Sequence, residues 1–247
     1  MEHPPFALFE RYADAIANLP ERDKLSKTDL LIPEFRLVHD KSVEIYYASF
    51  DFINTQAKVA VVGITPGWTQ MEIGFRQARA ALRDGQSVSE ASRRAKAAAS
   101  FAGTMRKNLV KMLDETGLPK HLRLDSCERL FGDARLLLHC TSVVHYPVFV
   151  YGRNYSGHSP DLLSTPVLRR FVDEVLAAEF RATPDVLVIP LGKCVDTVLK
   201  HLIRTGALNA QRCLLGFPHP SGANGHRRTE FEKGLNGFTQ IIDRWFH

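Results

Sequence analysis

Residues 216–225 of the chain read GFPHPSGANG. A loop needs glycine and proline for its turns, but not an imidazole fixed where an apolar run ends. Pro218 and Pro220 restrict the backbone on either side of His219 and hold its ring in place. A ring N–H held this way is a hydrogen-bond donor with a fixed aim, suited to stabilising charge that develops in a reaction. A second cluster, GITPG at 63–67, closes the apolar run KVAVVGI. It offers backbone N–H groups and the Thr65 hydroxyl, which can orient water but is a poor general base because its pKa lies far from neutral.

The elements that carry these clusters follow from periodicity. Residues 6–18 have apolar side chains at helical spacing, and FRLVHD (36–41) with VEIYYASF (43–50) reads as a hairpin. Buried strands are expected at 58–64, 135–144, 185–192 and 212–217, where the runs are short, apolar and bounded by turn residues. Helices are expected from about 71 to 117, at 165–180 with Thr165 and Pro166 at its start, at 193–206 ending on Gly206, and at 228–246. Strands alternating with helices predict an α/β fold, a three-layer α/β/α sandwich around a central four-stranded parallel sheet. No linker-like shift in composition interrupts the chain, so residues 1–247 are expected to form a single domain. Ligands bind beyond the carboxyl ends of such strands, which brings Gly63, His139, Gly192 and His219 towards one rim.

Composition sets the limits. At 45% hydrophobic and 24% charged, the 247 residues are ordinary globular material. Lys and Arg exceed Asp and Glu by 32 to 27, a mild excess that suits a nucleic-acid partner. The four cysteines, Cys127, Cys140, Cys194 and Cys213, show no C-x2-C spacing, so no metal site is expected. With neither a signal peptide nor an apolar run of membrane-span length, a cytoplasmic protein with reduced thiols is expected.

GITPG and HPSGANG resemble the two signature motifs of the uracil-DNA glycosylase superfamily. FAGTMRKNLVKMLDETGL (101–118) resembles the F-x-G segment and following helix of its thermophile-type branch, and VLVIPLGKCVDTVL (186–199) is similar to its third strand and helix. The likeness covers roughly residues 57 to 245, with 1–56 as an N-terminal helix and hairpin extension and about 69–100 as a helical insertion. Thr65 stands where other branches carry Asp or Asn, Ile64 stands where the thermophile-type branch has Glu, and that branch's cluster-binding cysteines are absent.

The resemblance implies a monomeric enzyme of base-excision repair that hydrolyses the N-glycosidic bond of uracil in DNA, with free uracil as product and no cofactor. A glycosylase for another deaminated or mismatched base, and a non-catalytic binder of damaged or abasic DNA, are the alternatives. His219 would take the negative charge of the departing base, and Thr65 would position water. Gly63, Ile64, Pro66 and Gly67 would shape the pocket floor. A flipped base needs a stacking face, supplied by Phe101 or by Phe75. Base choice would fall to His139, or to Thr141 if the register slips by two. Ser221, Gly222, Asn224, Arg227 and Arg228 would grip DNA phosphates, with Asn224 or Ala223 at the family's wedge position and Arg153 and Asn154 lining the groove.

Overall fold

The computed structural model describes residues 7–101 and 103–247; Phe6 at the head of the first helical run and Ala102 of the F-x-G segment lie outside them. In chain order the elements begin with helices α1 (Ala7–Ala17) and α2 (Lys27–Leu30), strands β1 (Arg36–Asp40), β2 (Val43–Tyr46) and β3 (Val59–Gly63), and helices α3 (Trp68–Arg83) and α4 (Val88–Ala99). Next come α5 (Thr104–Glu115), α6 (Leu118–His121), β4 (Leu138–Ser142), β5 (Val148–Val150) and β6 (Arg153–Asn154). The chain continues through α7 (Pro166–Arg170), a π-helical turn at Phe171–Leu176, α8 (Ala177–Ala182), β7 (Leu187–Pro190), α9 (Lys193–Arg204) and α10 (Arg227–Phe246). The protein is therefore mixed α/β.

These elements gather into two compact units. The first comprises the chain up to Ile53 together with Thr65–Ser100 and Val144–Ser159. Its sheet is antiparallel, in the order β1-β2-β5-β6. The expected hairpin is present, with Asp40 opposite Val43, and β2 also pairs with β5, with Val43 opposite Val150. A core of rings forms where Phe75 meets Phe35 at 4.8 Å and Tyr47 at 6.3 Å between centroids. The arginines of the inserted helices serve this unit itself. Arg79 donates to the carbonyls of Pro20 and Arg22, and Arg83 to those of Ala17 and Leu19. Arg93 and Arg94 hold the Glu90 carboxyl down to about 2 through their hydrogen bonds.

The second unit comprises Asn54–Ile64, Phe101–Val143 and Pro160–His247. Its sheet is parallel, in the order β4-β3-β7. Every residue of β3 is buried, as a strand covered on both faces requires. Val59, Val61, Leu138, Cys140, Leu187 and Ile189 join Leu109, Leu113, Phe217, Phe231 and Ile242 in one apolar core. The fourth stretch, 212–217, contributes a single parallel bridge, Val188 to Cys213, with the Leu214 N–H donating to Val188 O at 2.9 Å. It goes no further because the Asp196 carboxylate takes the Gly216 N–H at 2.7 Å and Gly216 turns at φ 86. Three named strands plus this bridge stand where four strands were expected. Helix α9 buries Val195, Val198, Leu199 and Leu202 on one face, the spacing of an amphipathic helix.

Candidate functional site

The carboxyl ends of β3, β4 and β7 lie side by side. Gly63 pairs with Ser142, Val62 pairs with Pro190, and the Leu191 N–H donates to Val62 O at 2.9 Å. A side-chain carbon at Gly63 would lie 3.4 Å from the Phe101 ring and 3.5 Å from Ser142 Oγ. The absent side chain lets the ring rest against the strand end. Phe101 is held there at φ 49, a left-handed conformation that bulky residues adopt only when the surroundings impose it.

Just past the end of the neighbouring strand β7, at the start of α9, Gly192 has φ 91, and its N–H donates to Phe217 O at 3.0 Å. A carbon added at Gly192 would meet His219 Cβ at 2.9 Å. His219 thus seats on the end of β7 as Phe101 seats on the end of β3, and adjacent strands run only about 4.8 Å apart.

The ring of His219 has a defined tautomer. The Ser221 N–H donates to His219 Nδ1 at 3.2 Å, so Nδ1 is an acceptor and the proton resides on Nε2. Burial lowers the pKa from 6.5, which keeps the imidazole neutral at neutral pH. Because the folded value is below the unfolded one, the ring's contribution to stability is full above 6.5 and fades as pH falls through the lowered value. An NMR titration of the ring is expected to show a midpoint below 6.5; a midpoint above it would contradict this reading.

The rest of HPSGANG is knitted to itself and to α5. Asn108 Nδ2 donates to Pro220 O at 2.8 Å. Arg227 donates to Ser221 O at 2.6 Å, and Asn224 Nδ2 to Glu230 Oε2 at 3.3 Å. Ser221 Oγ accepts the Ala223 N–H at 3.2 Å. Arg228 is bridged to Glu115 at 2.6 Å and to Glu232 at 2.7 Å. Of the expected phosphate ligands, Arg227 and Asn224 thus shape the loop, Arg228 is ion-paired, and Gly222 is exposed. Sequence reading passed over Asn108; its place one turn after Thr104, in the helix that follows the F-x-G segment, was the available signal.

His139 and Thr141 turn away from this edge. His139 Nε2 lies 2.6 Å from Glu179 Oε1, and Thr141 Oγ1 donates to Glu179 Oε2 at 2.6 Å. The Asn54 N–H donates to His139 Nδ1 at 3.4 Å, and His139 and Glu179 are each only 2% exposed. Alternation along β4 puts residues 139 and 141 on one face and 142 on the other. Ser142, which pairs with Gly63 in the parallel register, is the side chain at the strand end. Counting register from Gly63 along the expected strand at 135–144 finds it.

The remaining candidates, apart from Ile64, belong to the first unit. Thr65 Oγ1 donates to Tyr146 O at 2.8 Å and accepts from the Val148 N–H at 3.1 Å. Its one hydroxyl proton goes to the backbone, so it anchors the loop. Asn154 Oδ1 caps α3 by accepting the Trp68 N–H at 3.0 Å, and a side chain at Gly67 would crowd Asn154 at 3.3 Å. Ile64, in the second unit, and Pro66, in the first, are half-buried, whereas Phe75 is wholly buried in the ring core described above and offers no face for stacking. Arg153 is exposed. Among the described residues, no three or more His, Cys, Asp or Glu side chains are grouped to hold a metal ion, and no helix is long and apolar enough to cross a membrane.

Gly192→Ala should therefore act on His219. It combines backbone strain at φ 91 with a 2.9 Å clash, whereas Gly206→Ala brings strain at φ 76 with nothing within 4 Å. Both are expected to lose about 1–3 kcal/mol of stability. Only Gly192→Ala is expected to change the ring's chemical shifts, as heteronuclear NMR would show.

No family model matches the chain, and no solved structure matches it. It is 42% identical over 243 residues to the uncharacterized protein YoxB of Bacillus subtilis (strain 168), across 95% of this chain and 94% of that protein. The chain belongs to the YoxB family. The alignment with YoxB runs over nearly the whole length, so the likeness includes residues of both units.

Proposed function

We propose that the chain is a uracil-DNA glycosylase that starts base-excision repair, working as a cytoplasmic monomer without metal or organic cofactor. Its sheet would be the four-stranded core of a three-layer α/β/α sandwich, with 212–217 as the short fourth strand. The observation that carries this reading is His219 seated on Gly192, its Nε2–H left to donate by the Ser221 N–H on Nδ1, one strand away from the Phe101 ring on Gly63.

In the reaction the bond between the deoxyribose C1′ and uracil N1 breaks, and its electron pair leaves with the base. Negative charge spreads onto uracil O2, where the His219 Nε2–H donates. A neutral donor suffices, and the lowered pKa of the ring fits that part. The sugar cation is captured by water, which gives up a proton and leaves an abasic site. Phe101 offers the stacking face. Ser142 Oγ, able both to donate and to accept, takes over the base-reading part first assigned to His139 or Thr141.

A non-catalytic binder of damaged DNA is the second reading. It is favoured by the commitment of the Thr65 hydroxyl to Tyr146 O and Val148 N, which leaves GITPG without a side chain to activate water. The two readings part in an excision assay with oligonucleotides carrying uracil opposite guanine, uracil opposite adenine, uracil in a single strand, or hypoxanthine. Uracil release is expected from at least one uracil substrate. Release from hypoxanthine alone would reassign the base, and release from none would favour the binder.

A further inference from the structure

The tip of the β5–β6 hairpin is built against two local rules. The loop between Val150 and Arg153 is two residues long, and both have positive φ, 50 at Tyr151 and 69 at Gly152. That geometry selects Asn-Gly or Asp-Gly, because a side-chain carbon is poorly tolerated at positive φ. Here the first position carries an aromatic ring, and Tyr151 is 84% exposed, more than the two other exposed large hydrophobic residues among those described, Leu136 at 59% and Val175 at 36%. Strain and exposure fall on one residue, the pattern that points to function.

The turn is also fixed in place. The Tyr151 N–H donates to Ser42 O at 3.0 Å across to the β1–β2 turn, and Lys27 Nζ donates to Gly152 O at 3.4 Å. Cations surround it: Lys27, Lys41 and Arg153 are exposed, and among the described residues they enter no ion pair. Of the acids on these strands, Glu44 is engaged by Arg36 and His39, which leaves Asp40 beside Lys41 as the exposed one.

We infer that Tyr151 is a stacking platform for an unpaired base of a nucleic acid, with Lys27, Lys41 and Arg153 taking the adjoining phosphates. An aromatic face beside unpaired cations is the chemistry of single-strand binding. The inference rests on the nucleic-acid partner of the proposed function and not on the excision step.

Binding of a short, fluorescently labelled single-stranded oligodeoxynucleotide without uracil, followed by anisotropy at low salt, tests it. Tyr151→Asn is expected to weaken binding about tenfold, the loss of one base stack, while raising the thermal midpoint because Asn suits the turn. Tyr151→Trp is expected to bind at least as tightly as the wild type. A gain in stability together with a loss of binding is a result that a merely structural tyrosine would not give. Wild-type-like binding by Tyr151→Asn, or no binding by the wild-type protein, overturns the inference. Binding that depends on Tyr151 in a protein that excises nothing would sink the glycosylase reading and leave this contact standing.

Discussion

His219→Ala is expected to slow single-turnover excision of uracil by about 10²–10³-fold, the usual effect of removing one donor aimed at developing negative charge. The loss should appear in the chemical step and not in affinity for uracil-containing DNA, because the ring's proton is worth most when the base carries charge. His219→Gln keeps an N–H donor at a similar reach and should recover part of the rate. Folding should survive both changes, since the ring is partly exposed and the hydrogen bond it accepts from the Ser221 N–H is a local one, two residues away. Equal rates in wild type and His219→Ala would remove the residue from the mechanism.

Glu179→Ala is expected to have the largest effect on stability. Both oxygens of this buried carboxylate are used, one by His139 and one by Thr141, each at 2.6 Å. Removing the carboxylate from a buried polar network takes from His139 Nε2 and Thr141 Oγ1 the acceptor they share, at a cost of about 3–5 kcal/mol. In a chain of this size that corresponds to a fall of roughly 10 °C in the thermal midpoint. Replacing the set together, as His139→Leu, Thr141→Val and Glu179→Leu, should restore much of it, because the groups that shared the carboxylate are removed with it and the Asn54 N–H loses only a long 3.4 Å hydrogen bond. Thermal unfolding followed by circular dichroism distinguishes the outcomes. A midpoint unchanged in Glu179→Ala would show that the network contributes little.

The role of Glu179 shows where sequence reading stops. A histidine and a threonine two apart on a strand share a face by simple alternation, and that much was legible. Their partner lies 40 residues on in His139's case, on helix α8, and no local pattern announces a contact of that range. Strands β3 and β7 and helices α9 and α10 were legible because each is a long or strongly apolar element with clear stop signals. Of the β5–β6 hairpin, sequence reading singled out only Arg153 and Asn154, since Tyr-Gly is not a usual turn pair and β6 is two residues long. The seat of His219 was half legible. Flanking prolines announced a fixed ring, but only coordinates reveal that Gly192 leaves the space it occupies and that Ser221 sets its tautomer. Thr65 was legible as a hydroxyl at a strand end, and its use by two backbone groups was not.

The most direct measurement is the product balance when purified wild-type protein meets an oligonucleotide bearing one uracil. Mass spectrometry of the small-molecule fraction and alkaline cleavage of the strand should report free uracil and abasic sites in equal amounts, accumulating together. An intact strand with no uracil released, from a protein that nonetheless binds the oligonucleotide, would contradict the proposal that His219 receives the electrons of a departing base.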